Sequence, residues 1–214
     1  MGSKKISPQI IVSLDGITSK KAVEVAKKLK GLVWGFKVND LLFEDDGIIR
    51  KLKRYGWVFA DAKLHDIPNT VANSVEKLSR AGADMITVHA SGGVEMMQSA
   101  VRQAKKRTKI IAVTVLTSHK KSDNFKKLFK DIKLAGADGI VSSAHELKLF
   151  NKEKYLKIVP GIRPAWYGVK DDQKRTAGSK EAAVLGADYL FIGRPILNSK
   201  NIVLAVRKIT KEIE

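Results

Sequence analysis

Short runs of β-branched and aromatic residues return along this chain at a regular beat, with amphipathic stretches between them. Strands are expected at 10–15 ("IIVSLD"), 33–38 ("VWGFKV"), 57–63 ("WVFADAK") and 85–90 ("MITVHA"). Four more are expected at 110–116 ("IIAVTVL"), 139–144 ("GIVSSA"), 156–161 ("LKIVPG") and 188–193 ("DYLFIG"). Continuous apolar character, rather than apolar–polar alternation, marks strands covered on both faces, as in a parallel sheet. The intervening "KKAVEVAKKLK", "GIIRKLKRYG", "VANSVEKLSRAG" and "KEAAVLGA" carry helical spacing. The pattern is βα, eight times over.

An internal echo supports the count. Gly-Ala-Asp stands at 82–84, 136–138 and 186–188, each time after a helical stretch and just before a strand. Glycine there suits the left-handed backbone that closes a helix, and Gly31 and Gly56 read as the same device before strands two and three. Successive copies lie 54 and 50 residues apart, the length of two βα units each. Eight units in 214 residues predict one α/β domain over residues 1–214, a single (β/α)8 TIM barrel with few insertions. A hydrophobic content of 44% is enough to fill one such core. A doubly wound open sheet is the competing arrangement, but G-x-G-x-x-G does not follow the first strand.

The totals narrow the function classes. No apolar run approaches the roughly 20 residues that span a bilayer, and "MGSKKISPQIIVSLD" lacks a signal-peptide core. A cytoplasmic protein is the expectation. Forty Lys and Arg against 22 Asp and Glu leave a net charge of +18. Many of the lysines fall in "SKKAVEVAKKLK" and "SAVRQAKKRTK", where they read as solvated helix faces; steering of an anionic small substrate is a second use. No zinc-finger spacing or RNA-recognition signature speaks for nucleic acid. With no cysteine, disulfides and thiolate metal sites are excluded.

In a barrel of this kind chemistry sits at the C-terminal ends of the strands. Those ends carry Asp15, Lys37, Asp61 with Lys63, His89, Thr117 with Ser118, Pro160, and Gly193 with Arg194. The densest stretch is "FADAKLHDIPNT", residues 59–70. Buried charge is costly unless it is paired or put to use. Alternation along a strand puts Asp61 and Lys63 on one side and Ala60, Ala62 and Leu64 on the other. Lys37, on the neighbouring strand, can lie beside them. Asp66 starts the following loop, Pro68 suits a first helical turn, and Asn69 or Thr70 a cap. A structural ion-pair network accounts for Asp-x-Lys alone; with Lys37 and Asp66 added, a reaction centre is the better account.

"DAKLHDIPNTV" resembles the signature of the orotidine 5′-monophosphate decarboxylase family. "VSLD", "FKVND", "TVHASGG", "VTVLTS", "VPGIRP", the Asp172–Gln173 pair and "GADYLFIGRPI" resemble it in order, over about residues 10–197. "GADYLFIGR" alone is unspecific, because many phosphate-binding barrels end this way; the full set is specific. The resemblance implies decarboxylation of orotidine 5′-monophosphate to uridine 5′-monophosphate, the last step of pyrimidine nucleotide synthesis, with no cofactor and no metal. It implies an alternating charged array of Lys37, Asp61, Lys63 and Asp66. By that resemblance Lys63 would protonate the ring carbon, Asp61 would lie near the departing carboxylate, and Asp66 would hold Lys63 in place from the neighbouring subunit of a homodimer. Asp15 and Thr70 match positions that hold ribose hydroxyls, and Ile67 packs against the ring. Asp66, Ile67 and Thr70 are thus expected across the dimer interface.

Thr117 or Ser118 is expected to face the pyrimidine. Pro160, Arg163, Gly193 and Arg194 belong with the substrate, the last two at its phosphate. The loop at 164–179 is long for a βα connection. In the family it closes over the phosphate, and Gln173 matches a residue bridging phosphate and pyrimidine. His65 and His89 are read as structural.

Two departures stand out. Asn39 occupies a place where a small residue, often glycine, is expected, and Ala62 replaces a larger apolar residue. Ala62 is shared with the related sugar-phosphate decarboxylases and hexulose-phosphate synthases, which also use Asp-x-Lys-x-x-Asp. Those enzymes work through a magnesium-held enediolate and need a carboxylate where this chain has Lys37, which would repel the metal. That group is the enzymatic alternative. The alternative from another class is a catalytically inert barrel binding nucleic acid through its basic surface.

Overall fold

The apolar runs pair in chain order, each strand parallel to both neighbours. The computed structural model describes residues 7–104, 107–114, 124–168 and 176–214. The strands are β1 (Gln9–Ser13), β2 (Gly35–Val38), β3 (Trp57–Leu64), β4 (Met85–His89), β5 (Lys109–Val113), β6 (Gly139–Val141), β7 (Leu156–Val159) and β8 (Tyr189–Ile192). β1 closes on β8 through Gln9↔Tyr189 and Ile11↔Phe191, so the sheet is a closed barrel. All eight expected strands form, with ends that differ from the expected ones by up to three residues; residues 115 and 116 of the fifth lie outside the described residues.

Helices alternate with the strands: α1 (Ser19–Leu29), α2 (Leu41–Glu44), α3 (Ile48–Leu52), α4 (Pro68–Ala81), α5 (Gly93–Gln103), α6 (Phe125–Ala135), α7 (Ser179–Leu185), α8 (Arg194–Leu197) and α9 (Ile202–Ile213). α1 shows the logic. Thr18 caps it by accepting from Lys21 N, and Ala22, Val25, Ala26 and Leu29 recur every three or four residues on the buried face. Lys20, Lys21, Lys27 and Lys28 are exposed, so here the lysines do form a solvated face. Among the described residues, no helix is long and apolar enough to cross a membrane.

Three local expectations change. α4 is capped by Ile67 rather than by Asn69 or Thr70, because Pro68, with its fixed φ, takes the first helical position and draws both residues into the first turn. β6 is followed by a 3-10 segment (Ala144–Leu149) instead of an α-helix. Ser143 and Glu146 form a reciprocal capping box there, and buried Leu147 and Phe150 cover the sheet in its place. Gly56, unlike Gly31 (φ +76), does not adopt the left-handed conformation. A Cβ at Gly56 would meet the Phe36 ring at 3.2 Å, so close approach accounts for this glycine.

The Gly-Ala-Asp echo does more than close helices. Gly82, Gly136 and Gly186 take φ of +104, +74 and +97, as expected. The aspartate two residues on then ties two strands together. Asp84 N donates to Val58 O, and Val58 N donates back to the Asp84 carboxylate at 2.8 Å. Asp138 repeats this with Ile110, and Asp188 with Lys157. β4, β6 and β8 are each thereby clamped at their start to the odd strand before them.

Inward side chains fill the barrel and decide where a cavity can open. Ile11, Phe59, Met85, Ile111, Ile158 and Phe191 form its inner core, with Phe59 edge-on to Phe191 at 4.7 Å. Trp34, stacked on Trp57 at 5.2 Å and edge-on to Tyr189 at 4.8 Å, packs beneath at the N-terminal end. Apolar packing therefore blocks one end, and any cavity must open at the other.

Replacing Asp84 by alanine removes the acceptor for Val58 N–H. A buried donor left unpaired costs about 1–3 kcal/mol. The expected outcome is a lower denaturant midpoint with an unchanged slope; an unchanged midpoint would show that the clamp does not stabilise the barrel.

Candidate functional site

Above the Phe59–Phe191 layer the inward positions turn polar. Lys37 at the end of β2 and Asp61 near the end of β3 are both buried, at 5% exposure each. Lys37 Nζ lies 2.8 and 2.7 Å from the two carboxylate oxygens of Asp15, in the loop after β1, and 3.2 Å from Asp61 Oδ2. Lys63 Nζ lies 2.6 Å from the same Asp61 oxygen. Within one chain the charges thus run Asp15, Lys37, Asp61, Lys63, alternating in sign. Asp15 extends the expected array at one end, and Asp66 is not part of it in this chain.

Strict alternation is not what brings Lys63 to Asp61. β3 pairs with β4 through Ala60↔Ile86 and next through Leu64↔Val88, so three residues of β3 bulge where β4 has one. Lys63 sits in this bulge with φ +45, the only non-glycine positive φ among the described residues. The bulge re-aims its side chain over Asp61. Asn39 Nδ2 donates to the Asp61 carbonyl at 2.7 Å. Thr87 Oγ1 accepts from Lys63 N at 2.8 Å and donates to Asp61 Oδ1 at 3.0 Å.

The pairing keeps these buried groups charged. Burial by itself would push the Lys37 ammonium down, but the Asp61 and Asp15 carboxylates outweigh it and hold it above its ordinary value. Burial would likewise raise Asp61; Lys37, Lys63 and the Thr87 hydrogen bond outweigh it and hold the carboxyl below its ordinary range. His89, half-buried near His65 at a ring separation of 5.6 Å, is lowered chiefly by burial and then by the charges of His65 and Lys63.

A cavity of about 220 Å³ opens over this array. The structure brings Asp15, Lys37, Asp61, Lys63, Pro160, Arg163, Gly193 and Arg194 together around it. Gly193 approaches β1 closely: a Cβ there would lie 3.3 Å from both Ser13 Cβ and Ser13 O. The feet of the long loop are pinned beside Arg163, where Arg163 N donates to Ala177 O at 2.8 Å and Ala177 N to Gly161 O at 3.3 Å.

Asp66, Ile67 and Thr70 lie elsewhere, exposed on the rim; Ile67 is 65% exposed. Thr117, Ser118 and Gln173 lie outside the described residues. His65 and His89 do not line the cavity. Sequence reading missed Ser13, Val113, Val141, Gly161 and Phe191 as lining, and Thr87 as partner of the array. Thr87 had a signal, a polar residue sharing the inward parity of Met85.

Residues 8–209 match the family described as "Orotidine 5'-phosphate decarboxylase / HUMPS family". The chain is 39% identical to an orotidine 5′-phosphate decarboxylase of Carboxydothermus hydrogenoformans, over 98% of this chain and 97% of that one. A Streptococcus agalactiae protein of the same name is 40% identical, over 79% of this chain and 80% of its own. Among solved structures, orotidine 5′-phosphate decarboxylase from Lactobacillus acidophilus superposes with a TM-score of 0.79 at 30% identity, covering 98% of this chain and 100% of that one. The Methanocaldococcus jannaschii enzyme, complexed with the inhibitor BMP, has the same fold, with a TM-score of 0.83 at 23% identity over 98% of this chain and 100% of its own. This chain belongs to the orotidine 5′-phosphate decarboxylase / HUMPS family.

Proposed function

We propose that this protein decarboxylates orotidine 5′-monophosphate to uridine 5′-monophosphate and carbon dioxide, the final step of pyrimidine nucleotide synthesis, without a metal or cofactor. The observation that carries the reading is the chain of four alternating charges at the base of the cavity. The breaking bond leaves its electron pair on a ring carbon with no obvious electron sink, so placed charges must lower the barrier. Asp61 faces the departing carboxylate, and the Lys63 ammonium delivers a proton to the ring carbon as the bond breaks. Two unit charges about 4 Å apart interact by about 4 kcal/mol at an effective dielectric near 20. Acting on the barrier alone, that is about three decades in rate. Lys37, fixed between Asp15 and Asp61, keeps Asp61 ionised and in place.

The far side of the cavity suits the phosphate. Arg163 and Arg194 offer guanidinium groups, and the glycine backbone at 161 and 193, bare of side chains, lets an anion approach. Asp15 serves the ribose, Pro160 the wall beside it, and Gln173 with Thr117 or Ser118 complete the substrate contacts. The magnesium-dependent alternative is disfavoured by Lys37, whose ammonium lies between the two carboxylates a divalent cation would use.

Asp66, Ile67 and Thr70 are assigned to the site of a second copy. An aspartate, a large apolar side chain and a threonine exposed together on the rim fit an interface in which each subunit completes its neighbour's site.

In chelator, loss of orotidine 5′-monophosphate absorbance should proceed with the wild type and be abolished by Lys63→Ala; activity on a sugar phosphate only after magnesium is added would overturn the reading. Shared sites predict complementation. Lys63→Ala and Asp66→Asn proteins, each inactive, should regain about a quarter of wild-type activity when dissociated and re-paired at equal amounts, because half the dimers then carry one intact site. No recovery on confirmed re-pairing would place Asp66 within its own subunit's site.

The pH dependence of stability follows from the array and its surroundings. Groups held low, Asp61 and His89, contribute stability that is present above their ordinary values of 3.8 and 6.5 and lost as pH falls through their folded values. Lys37 is held high; its contribution is complete below its ordinary 10.5 and lost as pH rises through its folded value. Partly buried Tyr155 and Tyr189, raised from 10.0, act in the same direction as Lys37. Thermal midpoints should therefore form a plateau between about pH 6.5 and pH 10 and decline on both sides; a maximum well below pH 6 would contradict the assignment for His89.

A further inference from the structure

We infer that Asn39 and Thr87 are positioning residues for the reaction, two side chains that replace missing sheet hydrogen bonds on either flank of the β3 bulge and so hold Lys63 over Asp61. The inference rests on the decarboxylase reading for its kinetic consequence, and on backbone geometry for the clamp itself.

Regular pairing stops on both sides of Asp61. Toward β2 the register ends at Val38↔Ala60, and toward β4 it jumps from Ala60↔Ile86 to Leu64↔Val88. The segment between carries two members of the charged array, and one of them, Lys63, has φ +45, a conformation L-residues avoid without support. Asn39, just past the end of β2, supplies an amide donor to the Asp61 carbonyl at 2.7 Å. From β4, Thr87 supplies an acceptor to the Lys63 amide at 2.8 Å. The same hydroxyl donates to Asp61 Oδ1 at 3.0 Å, so a single fully buried oxygen ties the backbone of one array member to the carboxylate of the other. Glycine at position 39 would leave the Asp61 carbonyl without this donor. Neither Asn39 nor Thr87 lines the cavity, so both act through Asp61 and Lys63 rather than on substrate.

The test uses the full chain with Thr87→Val, Thr87→Ser and Asn39→Gly. Kinetics on orotidine 5′-monophosphate are read beside hydrogen exchange of the Lys63 amide. Thr87→Val keeps the shape and removes the hydroxyl; kcat should fall roughly 10- to 100-fold with KM within about threefold, the scale of a small misplacement of a reacting group. Thr87→Ser restores the hydroxyl and should return kcat to within about threefold of wild type. Asn39→Gly should lower kcat at constant KM. Exchange at Lys63 should quicken in Thr87→Val and Asn39→Gly while the other strand amides stay protected. Unchanged kcat in both variants, unchanged exchange at Lys63, or loss of protection throughout the barrel would overturn the inference. Should Thr87→Val not fold, Thr87→Ser and Asn39→Gly decide it. A wild type without turnover would sink the decarboxylase reading, while exchange would still decide the clamp.

Discussion

A carboxylate with 5% exposure is the constraint around which the open end of this barrel is arranged. Asp61 stays ionised only because two ammonium groups and a hydroxyl surround it, and each imposes its own demand. Lys37 is itself buried and needs a second carboxylate, which Asp15 provides from the loop after β1. Lys63 reaches Asp61 only through a bulge that abandons the sheet register. Thr87 must stand on β4 at the one inward position that meets both. Charges in such a place attract strongly, yet cost desolvation energy of similar size. Under the proposed function the arrangement is geometry held for a reaction, with stability coming chiefly from the apolar layers below and outside.

Much of the architecture could be read from residue order, because parallel strands buried on both faces have a signature that local chemistry dictates. Continuous apolar runs located every strand, and the glycine before each Gly-Ala-Asp strand located three helix ends. What escaped was longer in range. The aspartate of that tripeptide reads as an ordinary loop residue until its carboxylate is seen to accept an amide from the preceding strand. Alternation predicted the right neighbour for Asp61 by the wrong route, since no pattern of side-chain types announces a register jump. Asn39 was conspicuous as a departure from the family's usual small residue, but its partner lies on another strand and is a backbone carbonyl.

The site was legible to the extent that its residues come from strand ends of one chain. Asp15, Lys37, Asp61, Lys63, Pro160, Arg163, Gly193 and Arg194 converge as their positions in the repeat imply. Asp66, Ile67 and Thr70 belong to the same motif by sequence, yet face outward. Proximity along a chain constrains only the backbone, not the direction in which a rim side chain faces.

The aspartate clamps have a consequence for how such a barrel can change. They set the stagger of successive strand pairs from the plugged end, using groups that never reach the cavity. Loops at the opposite end are thereby relieved of any part in aligning the sheet. Insertions, deletions and altered charges there can accumulate without shifting one strand against the next. Mutational tolerance and mechanical alignment are assigned to opposite poles of the molecule, and the tripeptide, repeated at every second unit over three-quarters of the barrel, is the hardware of that division.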